Sequence, residues 1–124
     1  MNMINGVNGL TATNGDRILR GKIAFVTGGS RGIGRAIVLA LAEAGADVAF
    51  TYLQNAEKAR EVCGAALEKG IRCKGYQSDV ASLQDAERVI QEVTVEFGKV
   101  QILVNNAGIT HDKSFLKMTK EMWD

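Results

Sequence analysis

The chain has 124 residues, room for one domain around one hydrophobic core. Its 46% apolar and 23% charged residues belong to a folded globular protein and exclude an intrinsically disordered one. Fifteen Lys and Arg against fourteen Asp and Glu leave a net charge of +1, without the basic run of a nucleic-acid face. No apolar stretch approaches the ~20 residues that span a bilayer.

The two cysteines, Cys63 and Cys73, fit no metal or redox spacing, and the one histidine, His111, cannot anchor a multi-histidine metal site. Cys63 in a helix and Cys73 in a strand read as small apolar packing residues. Glycine is the outlier, at 14 residues beside no proline.

In chain order, residues 1–20 read as a disordered N-terminal extension, because Asn and Gly break any period up to Asp16. The stretch lacks the basic start and apolar core of a secretory signal, so the cytoplasm is the default compartment, in keeping with two unpaired thiols. The folded part is expected over 21–124. Ile23 to Thr27 is a short apolar run that ends in Gly28 and Gly29, as a buried strand would. A helix follows over Arg31 to Ala44, with Ile33, Ala36, Ile37, Ala40, Leu41 and Ala44 on one face and Gly45 placed as a left-handed stop. Asp47 to Tyr52 is the second strand. Asn55 caps a helix that runs to Lys69 and stops at Gly70. Ile71 to Gln77 is the third strand. Ser82, with Asp85 three residues on, has the spacing of a capping box for a helix that ends at Phe97 and Gly98. Val100 to Asn105 is the fourth strand and the most apolar. The alternation βαβαβαβ predicts a parallel, doubly wound α/β sheet built from right-handed crossovers.

Chemistry concentrates at the first strand-to-helix turn, Thr27-Gly28-Gly29-Ser30-Arg31-Gly32-Ile33-Gly34. There, backbone N–H groups and the positive end of a helix converge on one point, which suits a pyrophosphate. A Cβ would obstruct the turn at Gly28, the approach of the phosphates at Gly32 and helix–strand packing at Gly34. The rival nucleoside-triphosphate loop does not fit: read from Gly29, Arg35 stands where the lysine belongs and Ala36 where a hydroxyl would hold Mg²⁺. Between the dinucleotides, NAD calls for an acid at the end of the second strand, to accept from the ribose 2′-OH. That strand ends Phe50-Thr51-Tyr52-Leu53, and Asp47 lies at its other end. Arg31 stands in the loop, where a guanidinium can meet a 2′-phosphate, so NADP(H) is favoured.

Thr27-Gly28-x-x-x-Gly32-x-Gly34, Ser78-Asp79-Val80 after the third strand and Asn105-Asn106-Ala107-Gly108 after the fourth together resemble the short-chain dehydrogenase/reductase family over 21–124. The resemblance implies the N-terminal half of a Rossmann doubly wound parallel sheet, strand order 3-2-1-4, in a chain truncated from one about twice as long. It implies a cofactor site at Gly28, Ser30, Arg31, Gly32, Ile33 and Gly34 for the phosphates and Thr51 for the 2′-phosphate. Asp79 and Val80 would hold the adenine, and Asn105, Ala107 and Gly108 the ribose and nicotinamide end. Each has a structural alternative: Ser30 as a helix cap, Arg31 as a solvated turn residue, Asp79 as a strand end, Asn105 as a tie between strands. The wording of the motifs is most similar to the branch acting on 3-oxoacyl thioesters of acyl-carrier protein, with the acetoacetyl-CoA branch close. That implies an NADPH-dependent reductase giving a 3-hydroxyacyl product, and a homo-oligomer when the protein is complete. A non-catalytic dinucleotide-binding module is the alternative.

The family's reaction uses a tyrosine, a lysine four residues later and a serine upstream, the tyrosine acting as general acid. Here the residues four beyond Tyr52 and Tyr76 are Ala56 and Val80, so no catalytic residue is assigned and the 124 residues alone are expected to be inactive. The fourth strand is expected to present a bare apolar edge.

Overall fold

The computed structural model describes residues 2–3 (backbone only), 17–79 and 82–106. Along the chain run β1 (Asn2–Met3), β2 (Ile23–Val26), α1 (Gly32–Glu43), β3 (Asp47–Tyr52), α2 (Ala56–Leu67), β4 (Cys73–Gln77), α3 (Leu83–Phe97) and β5 (Ile102–Val104). All strand pairs are parallel, in the order β1-β5-β2-β3-β4. Counted from Ile23, this is the expected 3-2-1-4. Both sheet faces are covered. Ala24, Val26, Val48 and Phe50 pack against Ile37, Val38 and Leu41 of α1 and Ala59, Val62 and Ala66 of α2. Phe25, Ala49 and Leu103 pack on the opposite face against Ala86, Val89, Ile90 and Val93 of α3. Burial on both faces is why these strands read as continuous apolar runs and not as alternating ones.

Each helix stops where its glycine adopts a positive φ: Gly45 at 101°, Gly70 at 83° and Gly98 at 102°. Asp47, at the start of β3, is held by Arg72, whose backbone N–H, Nε and Nη2 all donate to its carboxylate at 2.9–3.0 Å. This pair joins β3 to β4 at the end of the sheet remote from the glycine loop.

Four expectations are corrected. The ordered part does not begin at 21: Arg17 Nη2 donates to the carbonyls of Ala42 and Lys69, the Leu19 N–H donates to the Ala44 carbonyl at 2.8 Å, and Leu19 packs on the core. A guanidinium shared by the carbonyl ends of α1 and α2 meets the negative ends of both helix dipoles, which pins this turn. The outer edge of β5 is not bare either, since Asn2 and Met3 pair with Ile102 and Leu103. The buried stripe of α1 is Gly34, Ile37, Val38, Leu41 and Ala42, whereas Ile33 is 71% exposed and Ala36 is exposed. The helix is rotated because Gly34, lacking a side chain, packs directly on the loop below it. The third strand starts at Cys73, because Ile71 is drawn into the core from the preceding turn.

Candidate functional site

The site forms at the carboxyl ends of β2, β3 and β5, where the sheet hands the chain to α1 and α2. Thr27, buried at the end of β2, ties these ends together. Its N–H donates to the Val104 carbonyl at 3.0 Å, its hydroxyl donates to Asn105 Oδ1 at 3.3 Å, and the Asn106 N–H donates to that hydroxyl at 2.9 Å. Asn105 therefore does act as a strand tie in this structure.

The loop that follows is folded by glycine chemistry. Gly28 and Gly32 have φ of 70° and 61°, a region that L side chains rarely enter. A Cβ on Gly34 would lie 1.8 Å from the Gly28 carbonyl oxygen and 2.7 Å from Asn106 Nδ2, so the first turn of α1 sits on bare backbone. At Gly32, by contrast, a Cβ would meet nothing within 4 Å, and the space before the helix is open. The Gly28 carbonyl accepts from Asn106 Nδ2 at 3.1 Å, its N–H donates to Thr51 Oγ1 at 2.9 Å, and the Gly29 N–H donates to the Thr51 carbonyl at 2.9 Å. The turn is thus clamped from both neighbouring strands.

This corrects the expectation for Thr51. It is 2% exposed and its hydroxyl accepts from the loop backbone, so it braces the glycine turn and does not face the cleft. Strand alternation turns the side chain inward at 51 and leaves Tyr52 at the rim.

Ser30 does not cap α1. The N-cap position is Arg31, with extended backbone (φ −155°, ψ 166°) and no side-chain cap, and the first turn holds no acidic residue. The opening N–H groups of any α-helix lack intrahelical acceptors, and here the cap residue's side chain supplies none, an arrangement that suits an anion. A cleft of about 540 Å³ opens before it, lined by Gly28, Ser30, Arg31, Tyr52, Leu53 and Gln54 with the first residues of α2. Among the described residues its lining contains one cation, Arg31, and no carboxylate. A smaller groove continues from Ser30 and Arg31 past Arg35, Lys58 and Glu61. Arg31 is exposed and enters none of the ion pairs found among the described residues.

Asp79 lies at the exit of β4, exposed. Its N–H donates to Asp85 Oδ2 at 2.9 Å and its carbonyl accepts from the Ser82 N–H at 2.9 Å. The expected capping box is therefore half made. Ser82 Oγ accepts from the Asp85 N–H, but the Asp85 carboxylate reaches past Ser82 to Asp79. Gly28, Ser30, Arg31, Gly32 and Gly34 are brought together at the loop, with exposed Ile33 beside them and Asn105 behind. Val80, Ala107, Gly108 and His111 lie outside the described residues. Sequence reasoning missed Asn106, Gly29 and the rim residues Tyr52 to Gln54. The paired asparagines were a signal for the first, and a Cβ at Gly29 would stand 2.6 Å from Phe50 Cβ. Tyr76, the second tyrosine, is buried against α3; burial and then Glu96 push its phenol well above the usual range, and Lys74 Nζ stands 5.0 Å from its ring centre. It is a packing residue remote from the cleft.

Among the described residues no His, Cys, Asp and Glu group could hold a metal ion, and no helix is long and apolar enough to cross a membrane. Residues 22–124 match the family model described as short chain dehydrogenase. Over 103 residues the chain is 45% identical to 3-oxoacyl-acyl-carrier-protein reductase FabG of Staphylococcus aureus, covering 83% of this chain and 42% of that protein. Acetoacetyl-CoA reductase of Rhizobium meliloti is 48% identical over 102 residues, covering 82% of this chain and 40% of that protein. The chain thus spans about two fifths of the curated relatives it matches. A solved blue fluorescent protein from a metagenomic library, in complex with NADPH, superposes with a TM-score of 0.71 at 46% identity, covering 74% of this chain and 38% of that one. The chain belongs to the short-chain dehydrogenase family.

Proposed function

We propose that these residues are the cofactor-binding part of an NADPH-dependent reductase that converts a 3-oxoacyl thioester, carried on acyl-carrier protein or CoA, to its 3-hydroxyacyl product. The observation that carries the reading is the cleft at the uncapped start of α1, entered by Arg31 and free of carboxylate along the end of β3. The residues fit a dinucleotide: Gly34 lets the helix end stand close to the loop, and Gly32 leaves open space where phosphates would lie. When bound, the nicotinamide would supply the hydride that reduces the carbonyl.

In this reading the backbone of Ser30, Gly32, Ile33 and Gly34 donates to the pyrophosphate, with the helix dipole behind it, while Gly28, whose N–H is held by Thr51, shapes the turn beneath. Arg31 pairs with the adenosine 2′-phosphate, and Arg35 and Lys58 on the adjoining groove add positive charge beside it. A carboxylate at the end of β3 would be needed to accept from the 2′-OH of NAD, and among the described residues none lines the cleft, Glu61 lying in the adjoining groove on α2. Asp79 and Val80 border the adenine, and Asn105, Ala107 and Gly108 the ribose and nicotinamide end. Thr51 is not among the ligands; it sets the height of the glycine turn. Likeness to both a 3-oxoacyl-acyl-carrier-protein reductase and an acetoacetyl-CoA reductase supports the thioester class and favours neither carrier.

Calorimetric titration of the 124-residue chain with NADPH and NADH tests the proposal. Saturable binding, tighter for NADPH and without ketone reduction, is expected, because neither Tyr52 nor Tyr76 has a lysine four residues on. Equal affinities would overturn the NADP assignment, and a folded chain that binds neither nucleotide would overturn the site. Turnover of acetoacetyl-CoA by these residues alone would show that catalysis needs no Tyr-x-x-x-Lys pair.

A further inference from the structure

The chain's two cysteines lie away from the cofactor cleft, and the fold brings them together. Cys63 stands on the face of α2 that also carries Ala59, Val62 and Ala66, four residues beyond the first and three before the last. Cys73 opens β4, the strand at the sheet's outer edge. Alternation along β4 sends Lys74 and Tyr76 toward α3, so Cys73 and Gly75 face α2. Both cysteines are half-buried and pack against the same core cluster. Gly75 lacks a side chain because the Phe50 and Tyr52 rings pack directly on its backbone.

Backbone geometry adds a second element. The Ser78 N–H donates inward to the Tyr52 carbonyl, so the N–H of Gly75, an odd number of residues away, points to the outer edge where no strand follows. Cys63, on the sheet-facing side of α2, and Cys73, on the α2-facing side of β4, thus face one another's element across this packing. Hydrogen bonds from Cys73 and Gly75 hold the Cys63 thiol below its ordinary range against the opposing effect of burial. Cys73 is pushed far up by Cys63 and by burial.

We propose that Cys63 and Cys73 form a redox-modifiable dithiol that closes to an intrachain disulfide when it meets a peroxide. The Cys63 thiolate attacks one oxygen of hydrogen peroxide; the O–O bond breaks, and the departing hydroxide takes up a proton to leave as water. The Cys73 sulfur then attacks the Cys63 sulfur of the sulfenic acid. The S–O bond breaks, and hydroxide leaves as water with the proton from Cys73. Two thiols lose two electrons and two hydrogens, and one peroxide becomes two waters. The product ties α2 to the edge strand β4 through a short loop, and Asn55 and Ala56 at the start of α2 line the cofactor cleft.

The test is to expose the native chain to hydrogen peroxide, quench with an alkylating reagent in denaturant, and weigh the intact and trypsin-digested protein. The expected result is a chain lighter by about 2 Da that takes up no alkyl group, with the Glu61–Lys69 peptide joined to Cys73–Lys74. C73S is expected to leave Cys63 open to a sulfenic-acid trap, whereas Cys73 in C63S stays unlabelled. Two alkylated cysteines after peroxide, disulfides only between chains, or equal trapping at both positions would overturn the proposal. Serine is close to isosteric with cysteine, and circular dichroism of each variant establishes its fold before the result is read.

Discussion

Among the described residues, the N-termini of the three helices are solved in two different ways. In α2 the Asn55 side chain accepts from the Lys58 N–H at 3.0 Å, and in α3 Ser82 accepts from the Asp85 N–H; each has an acidic residue in its first turn. These ends are electrostatically complete. In α1 the cap position holds Arg31, whose side chain caps nothing, and the first turn has no acid. The loop below spends its glycines on close backbone approach and open space instead. A helix end that costs stability when left uncapped, beside two described helices that are capped, fits the proposed ligand site.

Four substitutions break or sharpen this contrast. Gly34→Ala has the largest expected effect. Its Cβ collides with the Gly28 carbonyl and Asn106 together, and loss of about 3 kcal/mol of stability or more, with loss of NADPH binding, should appear in urea denaturation and titration. Arg31→Ala should leave folding unchanged and weaken NADPH by roughly 1.5–3 kcal/mol while NADH is unaffected. An unchanged ratio of the two affinities in calorimetry would remove Arg31 from the site. Ser82→Ala should do the reverse. Stability falls by about 1 kcal/mol as α3 frays, and the NADPH to NADH ratio stays put. The smallest effect concerns pH. Arg88 beside Asp85 holds that carboxyl below its ordinary range, with partial burial opposing it. A carboxylate depressed in the folded state stabilises above its unfolded-state range, and that contribution is lost as pH falls through the folded pKa. Asp85 is partly solvent-screened, so Asp85→Asn should cost at most a few tenths of a kcal/mol near neutrality. The gap from the unmodified chain should close on acidification, as followed by thermal melts from pH 7 down to 3.

Residue types and local spacing explain what was legible from the chain alone. Apolar runs between glycine stops place the four main strands, because strands buried on both faces carry little else. The glycine triplet reveals the turn because positive φ and absent Cβ atoms are demands that only one residue type meets. The same local view erred at Thr51, whose position at a strand end suggested a rim and whose neighbours across the sheet made it a buried brace. It erred at Ile33, counted on the apolar stripe of a helix whose rotation is decided by how closely Gly34 approaches Gly28. Asn106 and Asn105 share a motif, yet their tasks differ. Asn105 meets the Thr27 hydroxyl and Asn106 the Gly28 carbonyl, a division set by contacts 78 residues apart in sequence.

The sequence by itself determined the order of strands and helices, the anion-ready start of the first long helix and the missing acid of the NAD pattern. These follow from local conformational preference and from which side chains are present at all. Only the tertiary structure decided that Arg17 fastens the entry turn to two helix ends, that Asn2 and Met3 pair with the outer edge of β5, and that Cys63 and Cys73 pack against the same core cluster. Each of these joins groups from separate elements. Such contacts arise from the packing of one element on another, and no period or motif along the chain encodes them.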